Sequence, residues 1–192
     1  MKTSKVKKLM EILSTHPEER ERRYAAMELS DFPREDVVEH LVNRLVEEKS
    51  RAVQEAIVST LITIGTEAVV RRCAELLRSE DAYLRNSAIE VLQLLQHTSL
   101  GVVKELLQDP DPDVRLFAVN VLGELKVKEA VELLCRVVEE DEDVNVVAAA
   151  VEYLGEMGLR GDDRETVRKA AERFSDPFLE YAVEVALRKM EV

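Results

Sequence analysis

The sequence predicts an all-α protein, a right-handed α-α superhelix (solenoid) of about six helical hairpins. Two observations carry that prediction. The first is the stretch from Asp111 to Gly123. Asp111 followed by Pro112 is a helix start, because the carboxylate caps free N–H groups and proline suits the first helical position. Val114, Phe117, Ala118, Val121, Leu122 and Leu125 then fall at i, i+3, i+4, i+7, i+8 and i+11, one apolar face of an α-helix. The second observation is that this stretch recurs along the whole chain.

The first apolar position of the pattern aligns Glu21, Val53, Leu84, Val114, Val146 and Leu179, spaced by 32, 31, 30, 32 and 33 residues. Three residues earlier stand Glu18, Ser50, Asp81, Asp111, Asp143 and Asp176, of which five are good N-cap types. The eighth residue after the first position is leucine in every copy: Leu29, Leu61, Leu92, Leu122, Leu154 and Leu187. Of 36 core positions, 32 are apolar, against a chain that is 46% hydrophobic; the exceptions are Glu21, Glu28, Thr60 and Ser87. Enrichment of that size makes the repeat real.

The run Asp113-Val114-Arg115 with Ala118, Leu122 and Gly123 resembles the second helix of a HEAT repeat. It is similar above all to the short bacterial and archaeal HEAT-like repeats first named for phycobilisome lyases. The resemblance covers essentially the whole chain, although the period is shorter than the about 40–47 residues usual for HEAT and armadillo units. It implies six HEAT-like hairpins whose second helices line the concave side.

In order along the chain, a first helix spans about residues 4–14, with Val6, Leu9, Met10 and Leu13 as its apolar face. Thr15-His16-Pro17 breaks it, and a second helix runs to about Leu29. Glu21 and Glu28 sit on core positions there, as expected of a terminal unit with one neighbour, and truncating Leu29 is expected to cost less than truncating Leu122. The second unit pairs Val37, Val38, Leu41, Val42 and Leu45 with a helix begun by Ser50 and ended by Gly65, a C′ glycine. The third pairs Val69, Val70, Cys73, Leu76 and Leu77 with residues 84–95. The fourth pairs Val102, Val103, Leu106 and Leu107 with the reference helix, and the fifth pairs Val131, Leu134, Val137 and Val138 with residues 146–157. The stretch 158–163, with two glycines and two aspartates, reads as a mobile loop before a sixth unit built on Val167, Ala170, Ala171 and Phe174. The units fall at approximately 1–32, 33–65, 66–97, 98–126, 127–158 and 159–192, in one repeat domain spanning 1–192. Twelve helices are expected and no strand.

Composition narrows the function. The chain has 192 residues, no Trp and 4% aromatics, which suits thin Ala/Leu/Val layers between helices. Its net charge of −12 opposes binding to nucleic acid or anionic membranes. Cys73 and Cys135 have no metal-type spacing and both fall on expected helices, so free thiols in a reducing compartment are expected. The basic stretch from Met1 to Lys8 is followed by no apolar run, so the expected location is cytoplasmic. His16, His40 and His97 fall in unrelated units. No His-Glu pair occurs, whereas HEAT-like deoxyhypusine hydroxylases hold iron with such pairs, so neither a metal nor any other cofactor is expected. No nucleophile–base pair or phosphate loop stands in the sequence, and Gly65, Gly101 and Gly123 read as isolated punctuation. No catalytic residue is assigned.

What remains is surface. The position after the first core position reads Arg22, Gln54, Arg85, Arg115, Val147, Glu180. In the resembled family a basic residue here ties to acidic turn residues as a ladder, a structural role favoured for Arg115, near Asp113, and Arg85, near Asp81. Five positions on from the first core position stand Ala26, Val58, Ile89, Val119, Val151 and Glu184. These either pack between second helices or floor a peptide groove rimmed by Glu90, Asn120, Glu124, Glu152 and Glu156. Residues 109–143 hold eleven acids against four bases, an excess expected to form an acidic ridge of stacked turns that also takes in Glu47, Glu48, Glu80, Asp81 and Asp176. The candidate partner-binding residues are therefore Arg85, Asn86, Glu90, Arg115, Asn120, Glu124, Glu139, Glu140, Glu142, Glu152 and Glu156. The expected function is a non-enzymatic scaffold or adaptor that binds another protein, one with a basic segment, through the concave helix face and the acidic turn ridge. The competing class, by resemblance, is an accessory or lyase-type subunit similar to the phycobilin lyases. A nucleic-acid-binding HEAT-like protein is a third, opposed by the charge.

Overall fold

The computed structural model describes residues 2–125, 127–158 and 162–190, and among these every regular element is helical. The chain forms two compact units, residues 1–102 and 103–192. The first holds three hairpins: α1 (Lys2–Thr15) with α2 (Glu19–Glu28), α3 (Glu35–Glu47) with α4 (Arg51–Ile64), and α5 (Glu67–Glu75) with α6 (Ala82–Leu94). The division falls inside α7 (Gln96–Leu106). The second unit continues with α8 (Pro112–Glu124), then α9 (Lys128–Glu140) with α10 (Val144–Glu156), and α11 (Asp162–Arg173) with α12 (Pro177–Lys189). Within each unit, first helices pack on first helices and second on second: α1, α3 and α5 on one side and α2, α4 and α6 on the other; α9 with α11, and α8, α10 and α12 in the second unit.

The starts of the second helices follow directly from the sequence. Ser50, Asp81, Asp111, Asp143 and Asp176 each accept hydrogen bonds from backbone N–H groups of the first turn, while Glu18 makes no such cap. Gly65 ends α4 at φ +59°, a left-handed cap that side chains rarely adopt. Two helices tighten at their ends into 3₁₀ turns, Leu29–Asp31 and Leu76–Arg78. The expected border at 97/98 lies inside α7, which follows α6 after Leu95 alone. The buried Ser99 hydroxyl fastens that corner by donating to the Leu92 carbonyl at 2.7 Å. Of the expected loop at 158–163, Gly158 has φ +64° and α11 already begins at Asp162; residues 159–161 lie outside the described residues.

The leucine column is the core: Leu29, Leu61, Leu92, Leu122 and Leu154 are fully buried, and Leu187 is half-buried. Leu29 corrects an expectation. Although Glu21, Tyr24 and Glu28 of α2 face solvent, Leu29 itself is 0% exposed, because the 3₁₀ turn folds it inward. The column expected either to pack or to floor a groove packs: Ala26, Val58, Val119 and Val151 are buried, Ile89 is half-buried and only Glu184 is exposed. Adjacent second helices approach too closely for a groove between them. Thr60 donates from α4 to the Ala26 carbonyl of α2 at 3.0 Å. A Cβ on Gly155 of α10 would lie 2.7 Å from the Ala186 Cα of α12.

Candidate functional site

The turns joining the two helices of a hairpin are where charge and geometry meet. In the first unit the turn between α3 and α4 is built on Glu48. Its carboxylate is 5% exposed, so it belongs to the interior and not to the expected ridge. Arg22 grips it with two parallel bonds, Nε to Oε2 at 3.0 Å and Nη2 to Oε1 at 3.1 Å, and donates through Nη1 to the His16 and Pro17 carbonyls. Arg44, one helical turn before Glu48, adds a second guanidinium at 2.8 Å. The N–H groups of Lys49 and Ser50 complete the shell at 2.9 Å each. Burial by itself would raise the Glu48 carboxyl, but the two guanidiniums and the backbone donors hold it down at about 2.

The second unit repeats half of this arrangement. Arg115 grips Asp141 through Nε at 2.8 Å and Nη2 at 3.0 Å and donates to the Asp109 and Pro110 carbonyls. Both arginines therefore reach an acid 26 residues ahead and carbonyls six and five residues behind. Where Arg44 stands four residues before Glu48, Val137 stands four residues before Asp141. The turn leading into α10 lacks an arginine because position 147 is valine, and Arg173 at the end of α11 compensates by donating to the Val138 and Asp141 carbonyls. Sequence reading missed Arg44, Arg173 and the burial of Glu48. The repeated 26-residue spacing was the available signal for the Arg22–Glu48 pair.

The missing cation leaves a groove in the second unit. An open trough of about 1020 Å³ runs along α9, with Leu107, Leu133 and Val137 among its lining. Lys104 and Glu129 form an ion pair at one side, and Arg115 with Asp141 lies at another. Glu132, Arg136, Glu140 and Glu142 also border it, giving six acids and three bases in all. The matching depression in the first unit, lined by Arg22, Arg44 and Glu48 among others, holds only about 350 Å³.

The candidate residues sort accordingly. Arg85, Asn86 and Glu90 belong to the first unit and the rest to the second. Arg85 donates to the Ser79 and Glu80 carbonyls, and Arg115 is held by Asp141 of the next hairpin instead of the expected Asp113, so both arginines serve the turns. Within the run 139–143, Asp141 and Asp143 cap backbone N–H groups and Glu139 accepts from Thr166. Glu140 and Glu142 are exposed beside the groove. Asn86 and Glu90 are exposed on α6; on α8 and α10, Glu124, Glu152 and Glu156 are exposed and Asn120 is half-buried. Gly123 does more than punctuate: the Tyr153 ring lies on it, and a Cβ there would sit 2.1 Å from the ring. Burial raises the Tyr153 phenol pKa, and the charges of Glu124, Glu156 and Glu152 raise it further.

Other chemistry is sparse. Burial pushes the Cys73 thiol up to about 12, which makes it unreactive. His40 bonds the Met10 carbonyl at 3.1 Å and lies 3.2 Å from the Ser14 hydroxyl, tying α3 to α1. Among the described residues no group of three or more His, Cys, Asp or Glu side chains is placed to hold a metal ion, and no helix is long and apolar enough to cross a membrane.

The chain is 28% identical over 158 residues to phycocyanin operon protein Z of Pseudanabaena tenuis, covering 78% of this chain and 76% of that protein. Human deoxyhypusine hydroxylase, solved with glycerol, shares the fold at a TM-score of 0.51 and 19% identity, over 97% of this chain and 73% of that one. The complex of CpcE and CpcF of phycocyanin lyase from Nostoc is similar at a TM-score of 0.38 and 16% identity, over 95% and 93% of the two chains. The family model for HEAT repeats matches residues 6–93 and 100–188. This all-α chain of twelve described helices in six hairpins belongs to the HEAT repeat family.

Proposed function

We propose that the chain is a non-enzymatic accessory protein that binds a partner protein, of the class represented by phycocyanin operon protein Z, and that it works in the cytoplasm. The observation that carries the proposal is the relation to that protein along 78% of the chain. The surface agrees with it. The arginines and aspartates of the turns are engaged in the fold, whereas Glu140, Glu142, Glu152 and Glu124 are exposed and perform no capping. Exposed acids of this kind steer and select a partner more than they stabilise a fold. Size-exclusion chromatography of the purified chain with a purified phycocyanin subunit tests the reading. A shared peak that weakens with salt supports it, and separate elution at all salt concentrations removes it.

The similarity of the repeats to those named for phycobilisome lyases favours one second reading, a lyase-type subunit that handles the bilin itself. Absorbance separates the two. An accessory binder leaves added bilin spectrally unchanged and unattached, whereas covalent transfer of pigment to the phycocyanin subunit by this chain alone establishes the lyase reading.

A further inference from the structure

We infer that the trough along α9 is the docking groove for a basic, amphipathic segment of a partner protein. The inference rests on the partner-binding reading and assigns it a place and a chemistry.

The groove exists for a local reason. In the first unit the side chain four residues before the buried turn acid is Arg44, which reaches across to Glu48 at 2.8 Å and fills the space between neighbouring first helices. In the second unit that side chain is Val137, too short to reach Asp141, and the space stays open at about 1020 Å³ against about 350 Å³. That volume is at the upper end of what small-molecule pockets span, about 300–1,000 Å³, and the trough is open along its length, which suits a chain segment. Leu107, Leu133 and Val137, each 7% exposed, give it a narrow apolar strip at its floor. The lining holds six acids against three bases, and Lys128 beside it pairs with Glu132 at 3.6 Å, so the groove carries a surplus of two negative charges. Glu140 and Glu142 are exposed on the rim. The complement is a segment that lays apolar side chains on the strip and turns Lys or Arg toward the rim, a helix-in-groove arrangement with charge setting its orientation. An acidic segment meets the opposite field.

The probe is a fluorescein-labelled amphipathic Lys/Leu peptide of about fifteen residues, read by anisotropy against the full chain; its control carries Glu in place of Lys. Val137→Arg places at this register the side chain that stands at the matching place in the first unit, closing the groove. Val46→Arg adds the same charge at an exposed site of the first unit. The expected result is binding of the basic peptide alone, weakened about tenfold or more by Val137→Arg and unchanged by Val46→Arg. Equal effects of the two variants, no effect of either, or no binding of the basic peptide overturns the inference. Should Val137→Arg fail to fold, Glu140→Gln with Glu142→Gln replaces it: a reduced salt slope supports the groove and an unchanged one overturns it. A phycocyanin subunit that binds wild type and Val137→Arg equally leaves the accessory reading standing and the groove refuted. Peptide binding lost in Val137→Arg, with no phycocyanin binding to wild type, does the reverse.

Discussion

The turns at Glu48 and at Asp141 are built on the same register and end in different states. Both place an arginine 26 residues before a turn carboxylate, and both let that arginine hold the preceding turn's carbonyls. The first adds Arg44, buries a carboxylate between two guanidiniums and closes the space beside it. The second has Val137 and leaves an acid-lined trough. Arg44 against Val137 is one of the differences that separate a turn acid held by two cations from one held by a single cation, while the rim acids Glu140 and Glu142 stay exposed.

The largest expected effect that tests this contrast is at the clamp. Glu48→Ala takes the shared carboxylate from two part-buried guanidiniums, leaving Arg44 with Glu47 and Arg22 with two carbonyls, and is expected to cost about 3–5 kcal/mol in urea unfolding. Asp141→Ala, which frees one guanidinium and one backbone N–H, is expected to cost about 1–3 kcal/mol. Equal losses would mean the two turns are energetically alike despite Arg44.

A second measurement asks whether the units differ in their cores as they do in their turns. Leu29 and Leu122 are both 0% exposed, so Leu29→Ala and Leu122→Ala are each expected to cost about 2–5 kcal/mol. A clearly smaller loss at Leu29 would show that the first hairpin is loosened by its exposed outer side.

Acid sharpens the contrast further. Glu48 titrates at about 2 in the folded chain against 4.5 for the ordinary group. A folded pKa below the unfolded one means the stability it contributes is fully present above pH 4.5 and is lost as pH falls toward 2. The loss is expected to be on the order of 2 kcal/mol after solvent screening. Hydrogen exchange of α2 and α4 between these pH values should reveal it, and Glu48→Gln should remove the dependence. A pH profile unchanged by Glu48→Gln would refute the clamp's electrostatic role.

Smaller effects separate the contacts inside the second unit. Gly155→Ala drives a Cβ against the backbone of α12 and is expected to cost about 1–3 kcal/mol in thermal melts. Gly123→Ala meets only the Tyr153 ring, a half-buried side chain that can swing aside, and is expected to cost less. The reverse order would place Tyr153 in a more rigid setting than its exposure suggests. Smallest of all, Arg173→Ala removes two bonds to carbonyls and is expected to cost about 0.5–1.5 kcal/mol.

The sequence alone determined the helices, their starts and the core. Those features depend on short-range rules: an aspartate caps N–H groups two or three residues on, apolar side chains at i, i+3 and i+4 share a face, and the leucine at the eighth position falls on that face in every copy. The family resemblance also implied a ladder role for Arg115, while its acid, Asp141, came only from the structure. Only the tertiary structure decided which charges are consumed and which are displayed. Glu48 and Glu142 look alike in a string of acids, but one is enclosed by arginines 26 residues behind and four residues behind it, and the other faces solvent. Arg173 filling the place left empty at Val147, the Tyr153 ring seated on Gly123, and the trough left by Val137 are likewise settled across 26 to 35 residues of chain. At that distance periodicity gives the neighbourhood, and the reach of each side chain decides the contact.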